Sequence, residues 1–126
     1  MNNNEYKAFY YRNSQTNKTP VLEYIGGLNN KEKAKVNVYV LMLCSYGGYL
    51  DEPYSKYVGY GLRELRVDFS RNRHRIFYLT VEDKKIILLH AFQKKTQKTP
   101  KNEIVRALNN FQDYKNNKFL IEYEKK

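Results

Sequence analysis

Apolar residues in this chain come in short runs separated by polar clusters and paired glycines, and each run predicts an element. Glu5 to Arg12 (EYKAFYYR) is rich in aromatics and reads as a first strand. The polar turn NSQTNK follows, and Thr19-Pro20 then supplies an N-cap and a proline at the first helical position. The short helix VLEYI ends at Gly26-Gly27. Asn30 caps a second helix with Glu32 and Lys33 in its first turn; Val36, Val40 and Leu43 recur at helical spacing, and Gly47-Gly48 stops it.

Asp51 to Tyr60 (DEPYSKYVGY) contains a proline and reads as a loop. Leu62 to Phe69 is a second strand, SRNR a turn, Arg75 to Val81 a third strand, and Glu82-Asp83-Lys84 a tight connection. Ile86 to Phe92 is an almost continuous apolar strand, which predicts a mid-sheet position buried on both faces. Gln93 to Lys98 is a basic loop, and Thr99-Pro100 repeats the cap-plus-proline signal before a final helix from Pro100 to Lys115. Its apolar stripe is Ile104, Ala107, Leu108 and Phe111, with Glu103 in the first turn. The terminal KNNKFLIEYEKK is charged and receives no element. The order is β-α-α-β-β-β-α, an α+β fold with a twisted, mostly antiparallel sheet and helices packed on one face. No repeat or composition break divides it, so residues 1–126 are read as one domain.

Composition narrows the class. The chain has 126 residues and 41% hydrophobic content, enough for a modest single core. One cysteine, Cys44, excludes an internal disulfide and lies in the apolar run VYVLMLC, as a buried structural thiol does. No apolar run approaches the ~20 residues a spanning helix needs, and MNNNEYKAFYYR lacks the apolar core of a signal peptide. The expected location is the cytoplasm, with no membrane partner.

Charge changes the picture more. The net charge is +10, and between Arg63 and Lys101 eleven basic residues face four acidic ones, a local balance of +7. Arg63, Arg66, Arg71, Arg73 and Arg75 are threaded through strand-like runs, not along one amphipathic helix, which favours nucleic acid over a lipid surface. The plain alternative is a solvated basic surface.

Two histidines and one cysteine do not give ordinary zinc-ligand spacing, few carboxylates stand in the basic region, and no glycine-rich phosphate loop precedes a helix. RNA cleavage without a metal stays open, because RNA supplies its own 2′-hydroxyl nucleophile. A protein need only remove that proton, stabilise the phosphate charge and see the 5′-oxygen protonated. Arginine and lysine stabilise charge directly, and a lysine crowded by other cations is pushed towards acting as a base. Strand alternation aligns Arg73, Arg75, Phe77 and Leu79 against His74, Ile76 and Tyr78. It likewise aligns Ile86, Leu88, His90, Phe92 and Lys94, and puts Arg66 beside Glu64. The candidate catalytic set is Arg66, Arg75, His90, Lys94 and Lys95; the candidate RNA contacts are Arg63, Arg73, Tyr78, Lys98 and Lys101. The bland readings are an Arg66–Glu64 ion pair, a core His90 and Tyr78, and solvated lysines.

GLRELRV, then HRIFYL, then ILLHAFQKKTQKTP with the helix EIVRALNNFQDY, resembles the RelE/HigB toxin superfamily, in its phage-derived host-inhibition branch. The EPYSKYV and TPVLEYI segments fit as well, so the resemblance extends over nearly the whole chain; its most specific part is LLHAFQKKTQKTP, Leu88 to Pro100. The resemblance implies the element order given above and a ribosome-dependent, metal-independent mRNA endonuclease that needs no cofactor. It implies the toxin of a type II toxin–antitoxin pair, neutralised by a helix-turn-helix (HigA-like) antitoxin and acting on ribosome-bound mRNA. By position, Arg75 matches the family's third-strand arginine on the scissile phosphate, Arg66 its second-strand basic site, and Lys94 and Lys95 its basic residues after the fourth strand. Glu64 stands where other branches carry a second basic residue, and no tyrosine matches the late tyrosine some members use near Pro100. His90 and then Lys94 are the substitutes for the missing acid or base. Two rival readings are a non-enzymatic inhibitor on the same scaffold, like the gyrase-poisoning ParE branch, and a plain nucleic-acid-binding module.

Overall fold

The computed structural model describes residues 5–124. The elements are β1 (Lys7–Tyr11), α1 (Pro20–Gly26), α2 (Asn30–Ser45), β2 (Ser55–Gly59), β3 (Leu62–Phe69), β4 (Asn72–Val81), β5 (Lys85–Gln93), α3 (Lys101–Asn117) and β6 (Leu120–Glu122). One open sheet runs β2-β3-β4-β5-β1-β6, antiparallel except where β1 lies parallel to β5. The α+β class and mostly antiparallel sheet are those expected from sequence, and β5 does lie mid-sheet.

The helices divide between the faces instead of sharing one. Val21 and Ile25 of α1 and Val36, Val40 and Leu43 of α2 pack on Ala8, Tyr10, Leu65, Val67, Ile76, Tyr78, Ile86 and Leu88. Ala107 and Tyr114 of α3 pack on the opposite face, against Tyr11, Leu62, Phe77, Leu79, Ile87 and Leu89. The nearly unbroken apolar run of β5 is what this two-sided burial requires.

Two strands escaped the sequence reading. β2 occupies the segment read as a loop: past Pro53 the chain pairs antiparallel with β3, and Tyr60-Gly61, both at positive φ, close the hairpin. β6 pairs with β1 just after Lys118 ends α3 in the left-handed conformation. β4 starts at Asn72, three residues earlier than expected, because the turn is only Ser70-Arg71. Asn29, not Asn30, caps α2, its Oδ1 accepting from the Glu32 amide. Gly48 carries φ +80, and a Cβ there would sit 2.4 Å from the Thr80 methyl, so α2 ends against β4 only through a residue without a side chain.

Candidate functional site

The site lies on the face that α3 covers, at the far end of β3, β4 and β5. Arg66 pairs across the ladder with Arg75, and Asp68 with Arg73; Glu64 pairs with Phe77. Cross-strand partners project to one side of a sheet, so Glu64, Arg66, Arg73 and Arg75 share a face.

A bulge brings β5 to the same place. The register runs Phe77↔His90 but Tyr78↔Leu88, so Leu89 is the extra residue. Before it, Ile86 and Leu88 point to the α1/α2 side. After it, Phe92 points to the α3 side, where His90 and Phe92 stack near Phe77. Counting by twos put Ile86, Leu88, His90, Phe92 and Lys94 on one face; the inserted residue splits that set. The ladder then continues, the Lys94 amide donating to the Arg73 carbonyl at 2.8 Å.

The centre of the site is the carboxylate of Glu64, 1% exposed. Its Oε1 lies 3.3 Å from Arg66 Nε and 3.8 Å from Arg75 Nε, while its Oε2 accepts from the Thr99 hydroxyl at 2.9 Å. Thr99 was expected to cap α3; its hydroxyl spans to Glu64 instead, and Pro100 is the N-cap residue. Arg75, 4% exposed, also donates from Nη1 to Asp68 Oδ1 at 2.7 Å and to the His74 carbonyl at 2.9 Å. Glu52 stands 3.8 Å from Arg66 Nη1 at the exposed rim. The buried Nε atoms of Arg66 and Arg75 have no hydrogen bond: near as Glu64 is, it does not align with either N–H. Two buried, charged donors without an aligned acceptor form an anion-ready arrangement.

Lys94, 8% exposed, completes the cluster. Burial lowers the pKa of its ammonium, Arg75, Arg66 and Arg73 push the same way, and Glu64 opposes them. Its neutral form is therefore more accessible than in a free lysine.

Of the expected catalytic residues, Arg66, Arg75 and Lys94 come together. Lys95 is exposed and joins none of these ion pairs. His90 shares the face but is turned to α3, its Nε2 2.6 Å from Glu103 Oε1. It borders a separate hollow of about 380 Å³ lined also by Lys18, Glu23 and Arg106. Of the expected RNA contacts, Arg73 stands half-buried at the cluster, and Lys98 and Lys101 are exposed nearby in sequence. Arg63 and Tyr78 pair with each other on the opposite face. Tyr78 is fully buried, bonded to Ser55 Oγ at 2.7 Å and to the Gly48 carbonyl at 3.1 Å, which leaves no ring face for a base. Glu64 is the residue sequence reasoning undervalued; its alternation with Arg66 was the available signal.

The fold and site define a small open-sheet α+β protein with a nearly dry, arginine- and lysine-rich cluster on one sheet face. Residues 23–112 match the family model of the phage-derived Gp49-like proteins (DUF891), and the chain belongs to that family. The match begins in α1 and ends in α3, so it contains every residue of the cluster. No curated protein matches the sequence. Among the described residues no helix is long and apolar enough to cross a membrane.

Proposed function

We propose that this protein is the toxin of a type II toxin–antitoxin pair, a metal-independent endoribonuclease that cuts mRNA on the ribosome. The observation that carries the reading is the meeting of Arg66, Arg75 and Lys94 around Glu64, with two buried guanidinium donors lacking an aligned acceptor. A phosphodiester supplies those acceptors. Arg66 and Arg75 then stabilise the charge that grows on the phosphate oxygens. Neutral Lys94 takes the proton of the 2′-hydroxyl, the 2′-oxygen bonds to phosphorus, and the bond to the 5′-oxygen breaks, with water at the Arg66 rim supplying the departing oxygen's proton. The products are a 2′,3′-cyclic phosphate and a free 5′-hydroxyl. Glu64 keeps the two guanidinium groups in place.

Ribosome dependence suits a site this small. It grips one linkage but has little surface to order a flexible strand, and orientation by the ribosome is worth up to ~7–11 kcal/mol in ideal cases. The +10 net charge aids docking on ribosomal RNA in the cytoplasm. A helix-turn-helix antitoxin is the expected neutralising partner.

The test is expression without an antitoxin, followed by mapping of transcript ends. Growth arrest with cuts confined to translated messages is expected. Arrest with intact messages and DNA-damage signalling would transfer the protein to the gyrase-poison reading, and harmless expression would reject toxicity altogether.

A further inference from the structure

A second surface, on the other side of the sheet and at its β2 edge, is unlike the cleft. Four tyrosines stand out into solvent there: Tyr46 (66% exposed), Tyr49 (56%), Tyr57 (56%) and Tyr60 (75%). Two of them flank Arg63. Tyr57 is its cross-strand partner, and Tyr49 lies under its guanidinium, 4.5 Å from Cζ to the ring centroid. The Tyr49 amide donates to the Tyr46 carbonyl, and the Tyr57 hydroxyl accepts from the Gly61 amide beside Tyr60, so one turn carries Tyr46 and Tyr49 and one hairpin carries Tyr57 and Tyr60.

Arg63 is not idle surface charge. Its Nε donates to Ser55 Oγ at 3.0 Å and its Nη2 to the Leu50 carbonyl at 3.3 Å, while Nη1 meets no acceptor among the described residues. The guanidinium is thereby fixed flat with one donor edge open. Lys56, on the same edge strand, pairs with Glu64 and so projects to the opposite face, while exposed Asp51 and Glu52 stand in the turn before the strand.

We infer that this tyrosine–arginine surface is a binding site for unpaired RNA bases, separate from the cleft. Rings of this kind stack on any base, and a fixed guanidinium with a free edge meets the adjoining phosphate. Tyrosine and arginine also serve protein interfaces, but such an interface carries an apolar centre, and no leucine, isoleucine or phenylalanine is exposed among the described residues of β2 and its two flanking turns. The inference does not depend on whether the cleft cleaves RNA.

The experiment is titration of the whole protein with a short 2′-O-methyl oligoadenylate, which cannot undergo 2′-hydroxyl attack. Tyrosine emission reports binding without interference, since the chain has no tryptophan. Quenching is expected, with affinity exceeding that for an abasic strand of equal charge. Tyr49→Ala, Tyr57→Ala and Tyr60→Ala should each weaken binding roughly fivefold or more while leaving the abasic strand unaffected. Tyr57→Phe, which keeps the ring, should retain affinity. Equal binding of the abasic strand, or unchanged affinity in all three alanine variants, would overturn the inference. Unchanged RNA affinity with loss of self-association would assign the rings to a protein interface instead. Neither result bears on transcript cleavage, which the cleft variants test.

Discussion

Arg66 and Arg75 sit opposite each other on β3 and β4, two like charges bridged by the buried carboxylate of Glu64. That balance is lost if Glu64 is neutralised. Glu64→Gln should destabilise the fold by about 3 kcal/mol, because it removes the buried charge between the two guanidinium groups and leaves them only the exposed Asp68 and Glu52. A drop in the urea midpoint measures this; an unchanged midpoint would mean that the arginines find solvent without cost.

Lys94 should show the opposite trade. Burial and three arginines disfavour its charged form, so its folded pKa lies below the usual lysine value of 10.5. The protonated lysine therefore costs stability below the folded pKa, and the cost fades as pH rises from there towards 10.5. Lys94→Met should raise stability at neutral pH by about 1 kcal/mol and abolish cleavage. Its advantage should shrink in strongly alkaline buffer, as read from paired denaturation curves.

Cleavage itself should depend on pH through the same group. On ribosome-bound message the wild-type rate should rise with pH until Lys94 is neutral. Arg75→Ala should lower the rate by about a hundredfold or more at every pH, as removal of a charge-stabilising donor does. Lys94→Arg should instead flatten the profile, since a guanidinium does not give up its proton. A flat wild-type profile would remove Lys94 from the proton-transfer role.

Asp113 ties the chain after β1 to α3: its carboxylate accepts from the Ser14 hydroxyl and amide and from the Tyr11 hydroxyl. Ser14, Tyr11 and Asn117 hold its pKa down at about 2. A depressed carboxylate contributes stability above its unfolded pKa and loses it as pH falls through the folded value. Thermal melts should therefore show wild type and Asp113→Asn converging as pH approaches about 2, with the wild type more stable at neutral pH.

Gly48→Ala should cost about 1–3 kcal/mol from its positive φ and its clash with Thr80. Adding Thr80→Ser, which removes the offending methyl, should recover the steric part only. Full recovery in the double variant would show that backbone conformation contributes nothing.

The helices and four of the six strands were legible because each carries its own period and punctuation. β2 was not: Pro53 and Gly59 look like breakers, and only pairing with Leu62–Phe69 makes SKYVG a strand. β6 has three residues and no meaning without β1 beside it. At the site, Arg66 and Arg75 followed from alternation within single strands. Lys94 was also anticipated, but its side of the sheet was not, because alternation breaks at Leu89 and no local signal marks a bulge there. Tyr78 failed as an RNA contact because alternation alone does not say which face α1 and α2 will cover.

The bulge at Leu89 also separates two jobs within β5. Ahead of it the strand only fills the two cores; behind it Ala91 and Phe92 still do so, but His90 meets Glu103 and the chain runs on to Lys94. Excising that one residue would invert the distal half, burying the wrong side of Ala91 and Phe92 and swinging Lys94 off the face that carries the arginines in a single step.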